Sequence, residues 1–299
     1  MNEATEDSYG LLDFGAGRKL EQFGEVVLDR PCHAAEGVAK RNPDLWSNAA
    51  ARYDRTHSEQ GAWTPSNAIS KQWMVSFSIT ANDEKPESPL TFQLQPSPFG
   101  HVGVFPEQRE NWRWIVRQVR RGRQRLGRPP RVLNLFAYTG GCTLAAAAAG
   151  AEVVHIDAAR NMVDRARENA VLSGLGNRSI RWITEDATKF CRREVKRGNR
   201  YDAVILDPPS YGHGPKGEAW KIGDHLLPLL NLCGELTADS LAFVLATCHT
   251  PGIGPAELAA YMADGIMGHC SQPPLADELV LDTRDGRRLR SGAYARWPK

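Results

Sequence analysis

The sequence has no run approaching ~18 consecutive apolar residues, the length a helix needs to cross a bilayer. Its first ten residues, MNEATEDSYG, are acidic and polar, without the basic start and apolar core of a secretory leader. Six cysteines (Cys32, Cys142, Cys191, Cys233, Cys248, Cys270) lie scattered with no C-x-x-C pair. That spacing argues against a zinc site or a disulfide framework and points to a reducing, cytoplasmic setting, with no metal expected. No internal repeat is visible. The G-x-G-x-x-G fingerprint that cradles a pyrophosphate is missing too, which argues against a dinucleotide. The formal net charge of +2 is too small to specify a partner.

The amounts present are ordinary for a globular chain: 41% hydrophobic and 24% charged residues exclude wholesale disorder. The 299 residues suffice for one large domain or a large plus a small one. Basic residues are clustered in three groups. Arg113, Arg117, Arg120, Arg121, Arg123, Arg125, Arg128 and Arg131 form the first, Arg192, Arg193, Lys196, Arg197 and Arg200 the second, and Arg284, Arg287, Arg288 and Arg290 the third. Such clusters bind phosphate backbone or serve as solvated helix faces and turns.

Residues 8–30 read as a hairpin turning at Ala16-Gly17-Arg18, and no helical pattern follows Gly15 and Gly17 to make a phosphate loop. Short β-like runs, WMVSFSIT and LTFQL, are separated by Pro, Asn, Gly and Ser clusters, with ANDEKPESP (81–89) a polar loop. Together they predict a small β-rich N-terminal domain over 1–98. From Pro106 the period changes, with Trp112, Ile115, Val119 and Leu126 at helical spacing until Pro129 and Pro130. Strand-like runs at 132–136, 151–157, 180–184, 201–207 and 241–247 then alternate with helical ones. This alternation predicts an α/β fold over 99–299, a doubly wound, mostly parallel, Rossmann-like sheet of seven strands. The tail ELVLDTRDGRRLRSGAYARW completes it as a hairpin, with Trp297 packed.

The chemistry concentrates at carboxyl ends of these strands, where open α/β sheets bind ligands. In the turn Asn134-Leu135-Phe136-Ala137-Tyr138-Thr139-Gly140-Gly141, glycines let the backbone approach a ligand and the next helix offers unpaired N–H groups. With no pyrophosphate to cradle, a single nucleoside-like ligand fits. Asp157, ending the second strand, either accepts both ribose hydroxyls of such a ligand or caps the next helix. Asp186, beside Ala187, either bonds an adenine amino group or caps a helix. Asp207-Pro208-Pro209-Ser210-Tyr211 is a rigid extended loop suited to holding a planar base and accepting its amino hydrogen bond, with Tyr211 as a stacking face.

The series NLFAYTGG, Asp157, Asp186 and DPPSY resembles the class I S-adenosylmethionine-dependent methyltransferases. More narrowly, it is similar to the bacterial family of 23S ribosomal RNA large-subunit methyltransferases acting on cytosine C5 and guanine N7. Glu107-Gln108-Arg109 matches that family's acidic-Gln-Arg motif upstream of the first strand, and the likeness covers about residues 99–250. The resemblance implies S-adenosylmethionine as cofactor. Its methionine part would lie at the Phe136–Gly141 turn, its ribose at Asp157 and its adenine at Asp186-Ala187, with Gln108, Arg109 and Asn134 also on the cofactor side. Asp207-Pro208-Pro209 would face the transferred methyl and the substrate, a base in RNA. No leading PUA domain is recognisable, and GHGPKGEAWKI (212–222) marks a subgroup whose substrate the likeness does not fix.

Cys248 ends the fifth strand, where members methylating cytosine C5 place a nucleophile. A thiolate adding at C6 would make C5 able to attack the methyl group, so cytosine C5 is set slightly ahead of a nitrogen. His249 is placed to lower the thiol's pKa, although adjacent strand residues point apart, and a structural cysteine is the alternative. His213 and Lys216 lie in a loop that either closes over substrate or stays exposed. An NAD-dependent oxidoreductase and a non-catalytic RNA-binding protein are the competing readings. A nitrogen acceptor on RNA, a small molecule and a protein are the competing substrates.

Overall fold

The computed structural model describes residues 8–298 except 58–59, 66–68, 70–71, 81–87, 215–216, 239 and 269–272. Most of the acidic N-terminal stretch, most of the polar loop at 81–89, Lys216 and Cys270 thus lie outside the described residues.

The first five strands form one sheet in sequential order: β1 (Tyr9–Gly15), β2 (Arg18–Phe23), β3 (Val26–Pro31), β4 (Ala51–His57) and β5 (Gln60–Thr64). The expected hairpin over 8–30 is thus a three-stranded meander, because Gly24, at φ 63°, supplies a second tight turn between β2 and β3. Next comes a separate hairpin, β6 (Trp73–Phe77) with β7 (Leu90–Leu94). Its alternating Val75, Phe77, Leu90, Phe92 and Leu94 are buried in one apolar cluster with Trp112 and the alanines 145–149.

Helix α1 (Arg109–Leu126) ends at Gly127, whose φ of 68° gives the left-handed cap. Beyond it run β8 (Arg131–Leu135), α2 (Gly141–Ala148), β9 (Glu152–Asp157), α3 (Arg160–Leu172), β10 (Ile180–Thr184), α4 (Ala187–Lys196) and β11 (Ala203–Leu206). A small hairpin, β12 (Tyr211–His213) with β13 (Ala219–Lys221), precedes α5 (Ile222–Thr237), β14 (Phe243–Cys248), α6 (Pro255–Met262), β15 (Leu275–Asp282) and β16 (Arg288–Trp297).

The large sheet has seven strands in the order β10-β9-β8-β11-β14-β16-β15. The first five are parallel, and β16 and β15 add the expected antiparallel hairpin. The central strands are near-continuous apolar runs, as a sheet covered by helices on both faces requires. The chain winds outward from β8 to β10 on one side and from β11 to β14 on the other. The crevice beyond the carboxyl ends of β8 and β11 is therefore the topological switch point.

The two sheets are tied together. Leu11 bridges to Thr283, and Leu11 and Phe14 share an apolar cluster with Leu281 and Leu289. Buried Asp13 accepts from the backbone N–H groups of Phe14, Arg41 and Asn42, from Trp46 Nε1 and from Arg287.

Candidate active site

A cavity of about 660 Å³ opens at the switch point. One wall is the turn after β8, where Phe136 and Tyr138 have φ values of 54° and 49°. Left-handed backbone is costly for aromatic residues and persists only where neighbours hold it. Here Asp157 holds it: one carboxylate oxygen accepts the Tyr138 N–H at 2.8 Å, the other the Ala159 N–H at 2.9 Å. The carboxylate thus braces the β8 turn against the start of α3 while lining the cavity. Burial pushes its pKa above the ordinary carboxylate range, against the lowering effect of those two N–H groups.

Asp186 caps α4, accepting the Lys189 N–H at 2.8 Å, so the capping alternative holds, and it lines the cavity with Glu185 and Ala187 as well. Across from them lie Asp207, Pro208, Pro209 and Ser210. Trp220 fixes this loop, donating from Nε1 to the Pro209 carbonyl at 2.7 Å and packing on Phe136 with ring centroids 4.9 Å apart.

Asp207 is the electrostatic centre. Gln108 Nε2 donates to it at 3.2 Å, and His249 Nε2 stands 3.7 Å away, an ion pair longer than a hydrogen bond. Gln108 is fixed in turn by Thr247 at 3.3 Å and Asn111 at 2.8 Å. Burial opposes the charged form of His249, but the Asp207 charge outweighs it, with help from Glu107 and from the Ser291 carbonyl that Nδ1 meets at 2.6 Å. The imidazole pKa is raised to about 9. Asp207 shifts the opposite way: burial favours its neutral form, but His249, Thr247 and Gln108 hold its carboxyl below the ordinary range.

A matching family model, that of the S-adenosylmethionine-dependent methyltransferases, takes in residues 45–265. The chain belongs to that family. A methyltransferase from Agrobacterium tumefaciens, described as S-adenosylmethionine-dependent, superposes with a TM-score of 0.87 and 36% identity over 99% of this chain and 92% of that one. A Streptococcus mutans structure, at a TM-score of 0.71 and 15% identity over 98% of this chain and 76% of that one, shares the fold. Ribosomal RNA large subunit methyltransferase I of Aeromonas hydrophila is 32% identical over 194 residues, 64% of this chain and 43% of that protein. The chain spans less than half the length of the curated relatives it matches.

S-adenosylmethionine is thus the methyltransferase's cofactor, and the residues fit it: one cavity gathers Phe136, Asp157, Asp186, Ala187 and Asp207. Asn134, Ala137, Thr139, Gly140 and Gly141 instead line a smaller hollow of about 50 Å³ with Gln108 and Trp112. The two glycines have a packing reason that the sequence reading did not contain. A Cβ on Gly141 would meet the Trp112 ring at 2.7 Å, and one on Gly140, at φ 96°, the Ala166 Cβ at 3.1 Å.

Three expected residues are placed elsewhere. Arg109 lines neither hollow, and its Nε lies 3.9 Å from Glu110. Tyr211 is 49% exposed and bonds His213 at 3.1 Å, and is not part of the cavity wall. Cys248 lies between Thr247 and His249, which both turn toward Asp207, so strand alternation sends its thiol to the opposite face. There it is 1% exposed among apolar side chains, and burial raises its pKa. His249 therefore serves Asp207 rather than activating the thiol. His213 does line the cavity, on the β12–β13 hairpin that Glu218 ties to Lys189 of α4.

Glu185, Trp220, His101 and Phe105 were missed. Glu185 stands beside Asp186 and is gripped by Arg193 through two 2.6 Å bonds, and Trp220 sits in the GEAWKI segment already singled out. The basic last turns of α1 and α4 lie at the wrong end for a substrate, while Arg193 of α4 reaches the cavity wall but is paired there with Glu185. Helix α1 leads into the start of β8 and α4 toward the start of β11, so their basic last turns sit at the sheet edge opposite the cavity. Arg128 is paired there with Asp202. The third cluster is on the cavity side but largely paired, Arg287 with Asp13, Arg288 with Asp282 and Arg290 with Glu278.

Proposed function

We propose that this protein methylates a base of RNA, with ribosomal RNA of the large subunit as first candidate, in the cytoplasm. The observation that carries the reading is the convergence of Asp157, Asp186 and Asp207, from three different strand ends, on one cavity at the switch point. Asp157 would hold the cofactor's ribose, Asp186 and Ala187 its adenine, and the Phe136–Gly141 turn its methionine part. The bound cofactor supplies an electrophilic methyl group.

The chain's own residues supply positioning and charge. Asp207, kept ionised by His249, accepts an N–H of the acceptor base and stabilises the positive charge growing on nitrogen. The Pro208-Pro209 loop, pinned by Trp220, fixes the base edge, and Phe105 and Tyr138, with centroids 5.4 Å apart, supply an aromatic wall. The withdrawn Cys248 thiol puts a ring or exocyclic nitrogen ahead of cytosine C5, reversing the order expected from sequence. Cytosine C5 stays the second reading, supported by the position of Cys248 at the end of β14. Its mechanism would need the thiol to turn through the strand end.

Titration calorimetry with S-adenosylmethionine, with NAD as comparison, tests the cofactor. Transfer of labelled methyl to large-subunit RNA from a strain lacking the gene tests the substrate. Cofactor binding without transfer to RNA would discard the RNA reading and retain the family.

A further inference from the structure

With the arginine clusters distant or paired, positive charge beside that of His249 is brought near the cavity by the N-terminal sheet. A separate hollow of about 140 Å³ lies between that sheet and the entry to α1, sharing His101 and Phe105 with the large cavity. Lys19 of β2, Arg30 of β3 and Arg55 of β4 line it, with Glu107 on the far wall. We propose that this hollow binds a backbone phosphodiester of the RNA strand beside the acceptor base, through Lys19, Arg55 and His101. The proposal rests on the RNA reading above and gives the N-terminal sheet a substrate role.

Size is the first argument. A hollow of about 140 Å³ has room for a phosphate group. Charge is the second. Lys19 and Arg30 both pair with the single buried carboxylate of Glu21, at 3.1 Å for Lys19, so with Arg55 added and the Glu107 carboxylate subtracted the hollow keeps one surplus positive charge. Arg55 is exposed and makes no ion pair among the described residues. The third argument is His101, which is exposed to solvent and packs its ring on Phe105 with centroids 5.3 Å apart. Desolvation, followed by repulsion from Arg30, Lys19, Arg55 and His249, lowers its pKa to about 4. Lys19, Arg30 and Arg55 line the hollow beside this neutral ring, and an anion among them offsets their repulsion and lets the imidazole take up a proton. Phe105 connects the hollow to the base-binding wall, since its ring lies 5.4 Å from Tyr138 and 6.2 Å from His249 by centroid.

The test compares the wild type with Lys19→Gln/Arg55→Gln and with Arg55→Gln alone, which leaves the Lys19–Glu21 pair untouched if the double variant fails to fold. The expected result is a KM for RNA raised about tenfold, the loss of one charge-assisted hydrogen bond, with kcat and S-adenosylmethionine affinity unchanged. The slope of log affinity against log salt should fall by about 0.7, one phosphate on a single strand. An active variant with unchanged KM and slope overturns the proposal. NMR titration of His101 gives a readout independent of catalysis. A single-stranded RNA hexamer should raise its pKa in the wild type but not in the variants, and a hexamer without effect overturns the subsite. If inorganic phosphate raises it and the hexamer does not, the hollow takes a free anion and the backbone assignment is wrong. If the wild type methylates no RNA, the function reading fails, and the hexamer titration still decides the subsite.

Discussion

Replacing Asp157 by alanine separates two jobs that the structure gives to one carboxylate. The side chain accepts the Tyr138 and Ala159 N–H groups, at 2.8 and 2.9 Å, and so holds a left-handed aromatic residue in the cavity wall. A hydrogen bond to a charged group contributes about 1.5–3 kcal/mol, so losing both costs about 3 kcal/mol at the low end. For 299 residues, an unfolding entropy of about 2.1 cal/mol/K per residue turns that into a Tm lowered by about 5 °C. The proposed ribose contact adds a second loss. Two hydroxyl bonds to the carboxylate are worth about a hundredfold in S-adenosylmethionine affinity. Differential scanning calorimetry reads the first effect and titration calorimetry the second. An unchanged Tm refutes the bracing argument. A lowered Tm with unchanged affinity leaves Asp157 as a brace and removes it from the cofactor site.

Cys248→Ala should retain at least half of the methyl-transfer activity, because the thiol faces the core; complete loss with an intact fold would restore cytosine C5 as acceptor. His249 should titrate near 9 by NMR and return toward its ordinary value of about 6.5 in Asp207→Asn, which should also lower kcat; an unmoved pKa would dissolve the pair. Because its pKa is raised in the folded state, the stability His249 contributes is fully present below about 6.5 and fades as pH climbs through about 9. Gly141→Ala forces a methyl group against the Trp112 ring, 2.7 Å away, and should cost about 1–3 kcal/mol in thermal unfolding. No loss would mean that the indole moves aside freely.

The parallel strands, their alternation with helices and the terminal hairpin were legible because each carries its own local period. Asp157 and Asp207 were legible for the same reason, since each closes an apolar strand and must emerge at its carboxyl end, and Asp186 because it follows a strand and opens a helix. Relations between distant segments were not. Trp112 fills the space over Gly141, and no local pattern around the glycine points to an indole 29 positions earlier. The His249–Asp207 pair joins two strand ends 42 residues apart. The arginines of α1 form an evident cluster, but their distance from the cavity follows from the direction in which the helix runs along the sheet. For Cys248 the alternation rule already held the answer: Thr247 and His249 share a face, and the residue between them takes the other.

The bond between Asp13 and Arg287 closes a loop of 274 residues, and Thr283 bridges to Leu11 beside it. A ribosome emits chain from the N-terminus at about 5–20 residues per second, so β1 and β2 wait roughly 14 seconds or longer for the partner that anchors them. Throughout that wait Asp13 has its backbone donors but not its guanidinium, and one flank of the first sheet, Leu11 and Phe14, has no apolar neighbours at 281 and 289 to cover it. The final hairpin therefore acts as a latch on the nascent protein. A chain cut short near residue 280 would already carry Asp157, Asp186, Asp207 and His249 and the apolar cluster that joins Phe23, Leu28 and Ala51 to α1, yet would lack β16 beside β14 and the anchor of Asp13, Leu11 and Phe14. In this molecule, the cavity-lining residues and the full anchorage of the first sheet are reached at different moments of synthesis.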